Sequence, residues 1–324
     1  HRIQPDFYVK GIEYSREDIN GMLTAEVEAV ADHGGTLHLI NTPTDSSSRA
    51  INIDRPTIPE DAQKWVADFK QKYSWTDVVS ALTQAEYIQF SVVGEQITDR
   101  YIYGESVGQS PKEGYSTFVA SGERDVWLGG VGVVESHVLQ VSPNSGRPMQ
   151  TYEYHVEKTR YVQKAFLKKL FSIAEVSAIT DQSEWHIGKV ENRIVADFGH
   201  GLFDQKLMRE VYESSEWIAA TIQANSLNFG FNRINKWNDL NYISCDRTEL
   251  ELANPGYYAR GMDYAAQHML EGHKADAVAV TLGHEGAKLY MRDTEVTGYP
   301  KHAVPVHIPA FNDHAVDRIG AGDA

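Results

Sequence analysis

Asp317-Arg-Ile-Gly-Ala-Gly-Asp323 sets two glycines between two carboxylates. Glycines in such a run let the backbone approach a phosphate and aim several N–H groups at it. A helix starting there adds partial positive charge. An aspartate at that point can take a proton from a hydroxyl lying beside a transferring phosphoryl group. Phosphoryl transfer needs these parts: positioning, charge neutralisation and a base near the nucleophile. At ordinary residue usage, Gly-Ala-Gly-Asp arises by chance in about one chain in a hundred of this length. A plain Gly-rich turn entering a helix is the competing reading.

The elements that must position such a site are legible in the apolar pattern. Residues 7–10 predict a strand, Ser15-Arg-Glu-Asp18 an acidic helix start, Gly34-Gly35 a stop, and 36–41 a second strand. That is one α/β unit with a parallel pair. Thr57-Ile-Pro-Glu60 reads as a capping box. It precedes an aromatic stripe at helical spacing (Ala62, Trp65, Val66, Phe69, Tyr73, then Trp75, Val78, Val79, Leu82), expected to be a helical linker over 56–86. From residue 87 short apolar strands recur at 88–93, 193–196, 217–222, 242–244 and 277–282, with helical stretches between most of them. This predicts a second α/β domain with a mainly parallel sheet. Segments 98–119 and 151–176 read as extra strands forming a small β flap.

Composition bounds the rest. A formal charge of −15 over 324 residues argues against a general nucleic-acid or anionic-membrane binder. Cys245 is the sole cysteine, which excludes an internal disulfide and suits a reducing cytoplasm. No run of eighteen apolar residues occurs. The thirteen histidines show no metal-ligand spacing: His284-Glu285 lacks the second His of a zinc-protease helix. The chain opens on His1 in mid-pattern and stops just after the Gly-rich turn, so a piece of a longer protein is expected.

With Asp317–Asp323 in hand, the chain resembles the ribokinase-like (phosphofructokinase-B type) carbohydrate kinases, and further elements follow in that family's order. Gly94-Glu95 and Asp99 resemble its opening Gly-Asp and Asp, which hold sugar hydroxyls. Gly129-Gly130 resembles its di-glycine. Asp197-Phe-Gly-His-Gly201 is similar to the Asp-Tyr-Gly-x-Gly turn of the heptose-phosphate kinase branch. Asp246-Arg-Thr-Glu249 resembles the motif that organises Mg²⁺ and phosphate, and Thr281-Leu-Gly283-His-Glu-Gly286 the element beside the nucleotide.

Lys10, Gly34-Gly35 and Ser46-Ser47-Ser48 resemble the closing third of a cytidylyltransferase-like domain. Lys112, Lys158-Thr-Arg160 and the stretch from Gln223-Ala-Asn225 to Asn232 are similar to proteins that fuse the two. The resemblance implies a three-layer α/β kinase domain over 87–324 with a small β flap. Ahead of it, 1–55 would be the tail of a Rossmann-like nucleotidyltransferase domain.

It implies ATP as co-substrate, Asp323 as base, and Gly320, Ala321 and Gly322 as anion hole. The sugar or sugar phosphate would meet Glu95, Asp99, Lys112, Gly129, Gly130 and Arg160. ATP and its phosphates would meet Asp197, Asp246, Glu249, Thr281, Gly283, Gly286 and Asp317, with Glu249 and Asp246 holding Mg²⁺ through water. A homodimer fits this picture; nucleic-acid and membrane partners do not.

Departures matter. Val133 stands where the family has Asn, Glu95 and Asp246 where it has Asp and Asn, and His200 where the heptose branch often has Lys. They keep two other readings open: a nucleotidyltransferase with a non-catalytic kinase-like domain, and a sugar-phosphate sensor.

Overall fold

The structure is a computed structural model describing residues 5–11, 22–40, 58–143, 145, 155–176, 187–292 and 305–312. The chain forms two compact units, His1–Thr57 and Ile58–Ala324. Among the described residues, no helix is long and apolar enough to cross a membrane.

In the first unit, β1 (Phe7–Gly11) and β2 (Thr36–Ile40) pair in parallel, joined through α1 (Met22–Ala31). This is the predicted βαβ unit. Lys10 on β1 is ion-paired with Glu26 of α1, and the Tyr8 hydroxyl donates to the same carboxylate at 3.0 Å. Ser15–Asp18 and Ser46–Ser48 lie outside the described residues.

The second unit opens with α2 (Glu60–Lys72) and α3 (Trp75–Glu86). The capping box expected at Thr57–Glu60 is not formed. Glu60 is the first helical residue, the N-cap is Pro59, and no side chain caps that end. The capping box here is Ser74–Asp77, which starts α3 and divides the aromatic stripe into two helices. The halves then differ. Trp65 stacks on Phe69, meets Phe311 edge-on and donates to the His307 carbonyl at 2.9 Å, whereas Trp75 is 79% exposed.

The main sheet has seven strands. Five are parallel: β3 (Phe90–Gly94), β8 (Val190–Asp197), β9 (Ser215–Ile222), β10 (Tyr242–Asp246) and β11 (Ala277–Thr281). The antiparallel β12 (Ala287–Met291) and β13 (Val306–Ile308) close one side, giving the order β13-β12-β11-β10-β9-β8-β3. Helices α4 (Val131–Val141), α5 (Gln205–Glu213), α6 (Arg247–Ala253) and α8 (Met262–Gly272) pack on it, with the short α7 (Tyr257–Arg260) between the last two. Val195, Ala220, Ile222, Ile243, Val278 and Val280 fill the core between sheet and helices. This is the mixed α/β fold with a largely parallel sheet that the strand pattern predicted.

The predicted flap is a separate four-stranded sheet of order β5-β4-β6-β7. Its strands are β4 (Gln96–Gln109), β5 (Ser116–Gly130), β6 (His155–Gln163) and β7 (Lys168–Val176). It grows directly out of β3, since only Glu95 separates Gly94 from β4. Because five strands run the same way, Gly94, Asp197, Ile222, Asp246 and Thr281 all end on one edge of the main sheet. In open α/β sheets that carboxyl edge is where ligands bind.

Candidate functional site

The centre of the carboxyl edge is the turn Asp197–Gly201, gripped from three directions. Glu95 is fully buried, and its carboxylate accepts the N–H groups of Phe198 (2.7 Å), His200 (2.8 Å) and Leu202 (3.2 Å). Asp197 is equally buried. It takes the indole N–H of Trp237 at 2.8 Å, the Gly199 N–H at 3.1 Å and the ammonium of Lys236 at 2.6 Å. From the far side, Asn225 and Asn228 donate to the Phe198 carbonyl at 2.7 and 2.8 Å, and Asn232 donates to Asp197 Oδ1 at 3.2 Å.

These bonds explain the sequence locally. Gly199 has φ +71°, and a Cβ there would lie 2.1 Å from Asn228 Nδ2. Gly199→Ala is therefore expected to combine left-handed strain with expulsion of the Asn228 clamp, costing about 2–4 kcal/mol. Chemical denaturation measures it, and a loss below about 0.5 kcal/mol would show the clamp to be incidental.

Two buried carboxylates on one turn repel. Burial first, then Asp197, pushes the Glu95 carboxyl up to about 7, against the lowering effect of its three N–H donors. Burial and the nearby Lys158 ammonium push the His200 imidazole down to about 4, so it is neutral at pH 7.

One flap face carries the charge. The register pairs Asp99 with Lys158 and Tyr101 with Arg160. Arg160 is ion-paired with the buried Asp99, and its guanidinium lies 5.5 Å from the Tyr101 ring centroid. At the end of β5, a Cβ on Gly129 would fall 2.8 Å from Asp99 Oδ2. Gly130, with φ +61°, brings its Cα close to the Glu95 carbonyl, which accepts the Val131 N–H as α4 begins. Val133 follows in the first turn of α4. Glu95, Asp99, Gly129, Gly130 and Arg160 are thus brought together. Lys112 is not: it sits exposed in the β4–β5 hairpin tip, about 30 Å of strand from Asp99. Spacing along the sequence does not reveal how long a hairpin is.

Toward β10 and β11 the motifs again adjoin. Asp246 pairs in register with Thr281. Asp246 and Glu249 form a capping box at the start of α6, with reciprocal N–H bonds of 2.7 Å, and Glu249 also accepts the Ala224 N–H at 3.0 Å. Gly283–Glu285 is a single 3₁₀ turn ending at Gly286, tied to α6 by an Arg247–Glu285 ion pair of 3.0 Å. Among the described residues, no group of three or more His, Cys, Asp or Glu is placed to hold a metal. Mg²⁺ keeps most of its waters and leans on one or two carboxylates plus substrate phosphates. Exposed Asp246 and buried Glu249 fit that water-mediated role rather than direct coordination. The neighbouring Cys245 is buried and its thiol is pushed well up by that burial, so it is an inert core residue.

Asp317, Gly320, Ala321, Gly322 and Asp323 lie outside the described residues. Sequence reasoning missed Lys236 and Trp237 altogether. It marked the Asn225–Asn232 stretch only through resemblance, because Asn and Gly in a loop read equally well as turn residues.

One solved structure similar to this chain is ribokinase from Thermotoga maritima (15% identity, TM-score 0.47, covering 73% of this chain and 82% of that one). Phosphofructokinase-2 from Escherichia coli in complex with substrates and products (13%, 0.46, 72% and 82%) is another. A third is ribokinase from Arabidopsis thaliana complexed with ribose and ATP (14%, 0.46, 72% and 82%). No protein-family model and no curated protein matches the chain. Function has to be argued from the site.

Proposed function

We propose that this protein phosphorylates a hydroxyl of a sugar or sugar phosphate at the expense of ATP. The observation that carries the reading is the convergence on one sheet edge of two groups of residues. One is Asp99, Arg160 and the Gly129-Gly130 turn, on the flap that springs from the end of β3 through Glu95, which grips the Asp197–Gly201 hub; the other is Asp246–Glu249 beside Thr281–Gly286. The first set suits a hydroxylated acceptor, since Asp99 accepts and Arg160 donates hydrogen bonds beside a closely approaching backbone. Glu95, with both oxygens engaged by the turn, acts here as a positioning residue rather than as a sugar ligand.

The second set suits the nucleotide. Asp246 and Glu249 would hold, through water, a Mg²⁺ brought with the nucleotide, which would neutralise charge on the phosphates. Asp323 takes the acceptor proton, and the N–H groups of residues 320–323 hold the developing negative charge. By resemblance, the product feeds activated-sugar synthesis for a surface polysaccharide, with nucleotidyl transfer as a second activity of the complete protein.

A panel of sugars and sugar phosphates, assayed for ATP-dependent phosphorylation, tests the reading. Val133 puts an apolar wall where the resembled family has a hydroxyl partner, and apolar walls discriminate hydroxyls weakly. Ribose and fructose 6-phosphate should therefore be poor substrates beside a larger or deoxygenated sugar phosphate. Efficient ribose phosphorylation would refute the role given to Val133. Absence of phosphorylation across the panel would favour the sensor.

A further inference from the structure

Trp127, on the flap strand β5, is 62% exposed. Phe118, Tyr161 and Phe171 of the same flap pack on one another, and Trp65, Trp217 and Trp237 each donate an indole N–H bond. Among the described residues, the Trp127 ring joins no aromatic cluster and its N–H donates to no protein group. Its place in the sheet register gives that open ring a context. Trp127 lies directly opposite Asp99, so the two side chains share a face with Cβ atoms about 5 Å apart. The alternation is borne out two residues away, where Asp125 accepts the Tyr103 hydroxyl at 2.8 Å. Gly129, two residues the other way, leaves room for the Asp99 carboxylate. Ile97 and Val156 lie on the same face and enter the core that also holds Phe198 of the hub. The exposed indole therefore stands beside the Asp99–Arg160 pair, on the face whose base packs against the main domain.

We infer that Trp127 is the stacking platform for the acceptor and that the acceptor ring is a pyranose. This rests on the kinase reading. Asp99 and Arg160 meet ring hydroxyls, but each such bond replaces one made with water and adds little net affinity. An aromatic face supplies what they lack. The weakly positive C–H groups on one side of a sugar lie against the negative π face and cover apolar surface. A six-membered ring in its chair form sets several axial C–H bonds side by side. A five-membered ring is smaller and puckered, and covers less of an indole. A purely apolar occupant would strip water from Asp99 and Arg160 without replacing their hydrogen bonds.

The 6-phosphates of glucose, galactose and mannose are the pyranose probes. Ribose 5-phosphate and fructose 6-phosphate cannot close a six-membered ring and are the furanose probes. With the complete protein and ATP, at least one pyranose probe should show a kcat/KM about tenfold or more above both furanose probes. Stacking acts equally on ground and transition states. Trp127→Ala should therefore raise the acceptor KM about tenfold, while kcat and the KM for ATP stay within about two-fold. Trp127→Phe should recover part of the loss, and both variants should melt near wild type because the side chain is exposed. An unchanged acceptor KM in Trp127→Ala overturns the inference, as does preference for a furanose probe. If that variant changes the sedimentation coefficient but not the acceptor KM, Trp127 is a subunit contact and the inference falls. Phosphorylation of no sugar by the wild type strikes the kinase reading and this inference together. Phosphorylation indifferent to Trp127 strikes the inference alone.

Discussion

Replacing Asp323 with Asn is expected to slow phosphoryl transfer by about 10²–10⁴-fold, the usual cost of losing a general base. On the proposed function, Asp323 follows a Gly320-Ala321-Gly322 turn that opens a helix, where N–H dipoles would favour its ionised form and let it accept a proton at neutral pH. Asparagine keeps the shape and loses the basicity, while the backbone donors for phosphate remain. ATP affinity should therefore change little as the rate collapses. Both quantities are measured side by side on wild type and Asp323→Asn. A rate within a few-fold of wild type would mean that Asp323 is not the base, leaving the Gly-rich run as a nucleotide cradle and moving the sensor reading ahead.

The second large effect is a pH-dependent one at Glu95. Its carboxyl titrates near 7 in the folded chain against 4.5 for an ordinary glutamate. The folded state therefore holds the proton more tightly, and stability falls as pH rises between those values. The shift amounts to about 3 kcal/mol at 1.36 kcal/mol per pH unit. This contribution is fully present below pH 4.5 and gone once pH passes about 7. His200 works in the opposite direction. Its pKa is depressed to about 4, so its contribution is present above its ordinary value of 6.5 and lost as pH falls toward 4.

The two slopes oppose each other over one window, and the wild-type curve alone would hide both. The difference between wild type and Glu95→Gln isolates the first. Wild type should lose ground to the variant by about 3 kcal/mol between pH 4.5 and 8. Gln also turns its amide NH₂ toward one of the turn N–H groups, which adds a pH-independent cost of about 1–3 kcal/mol. Parallel unfolding curves for the two proteins would show that Glu95 is not desolvated as described.

Several features were legible in the residues alone because they depend on local chemistry. Apolar runs at 88–93, 193–196, 217–222, 242–244 and 277–282 became β3, β8, β9, β10 and β11, since a strand buried between layers is apolar along its length. The di-glycine at 129–130 and the Gly199 turn were marked only by family resemblance, and the structure supplies the reason: Gly130 and Gly199 have φ of +61° and +71°, and a Cβ on any of the three would collide with a neighbour. Local rules also misled. Thr57–Glu60 has the composition of a capping box, yet Pro59 is the cap and α2 begins one residue later. The 60–86 stripe looked like one helical run until the Ser74–Asp77 capping box divided it.

What the tertiary structure alone decided is which of these residues meet. Glu95 and Asp197 are 102 residues apart in sequence, yet parallel pairing of β3 with β8 sets their carboxylates on one turn. Their mutual repulsion follows from that pairing. Asp99 and Arg160 meet because β4 and β6 run parallel in a separate sheet, whereas Lys112, nearer to Asp99 in sequence, is carried to the far end of a long hairpin. Lys236, Trp237 and the asparagine clamp gave no signal of their own. Their importance lies in a buried carboxylate and a turn contributed by another strand, and a chain shows the identity of its residues but not the partners that folding gives them.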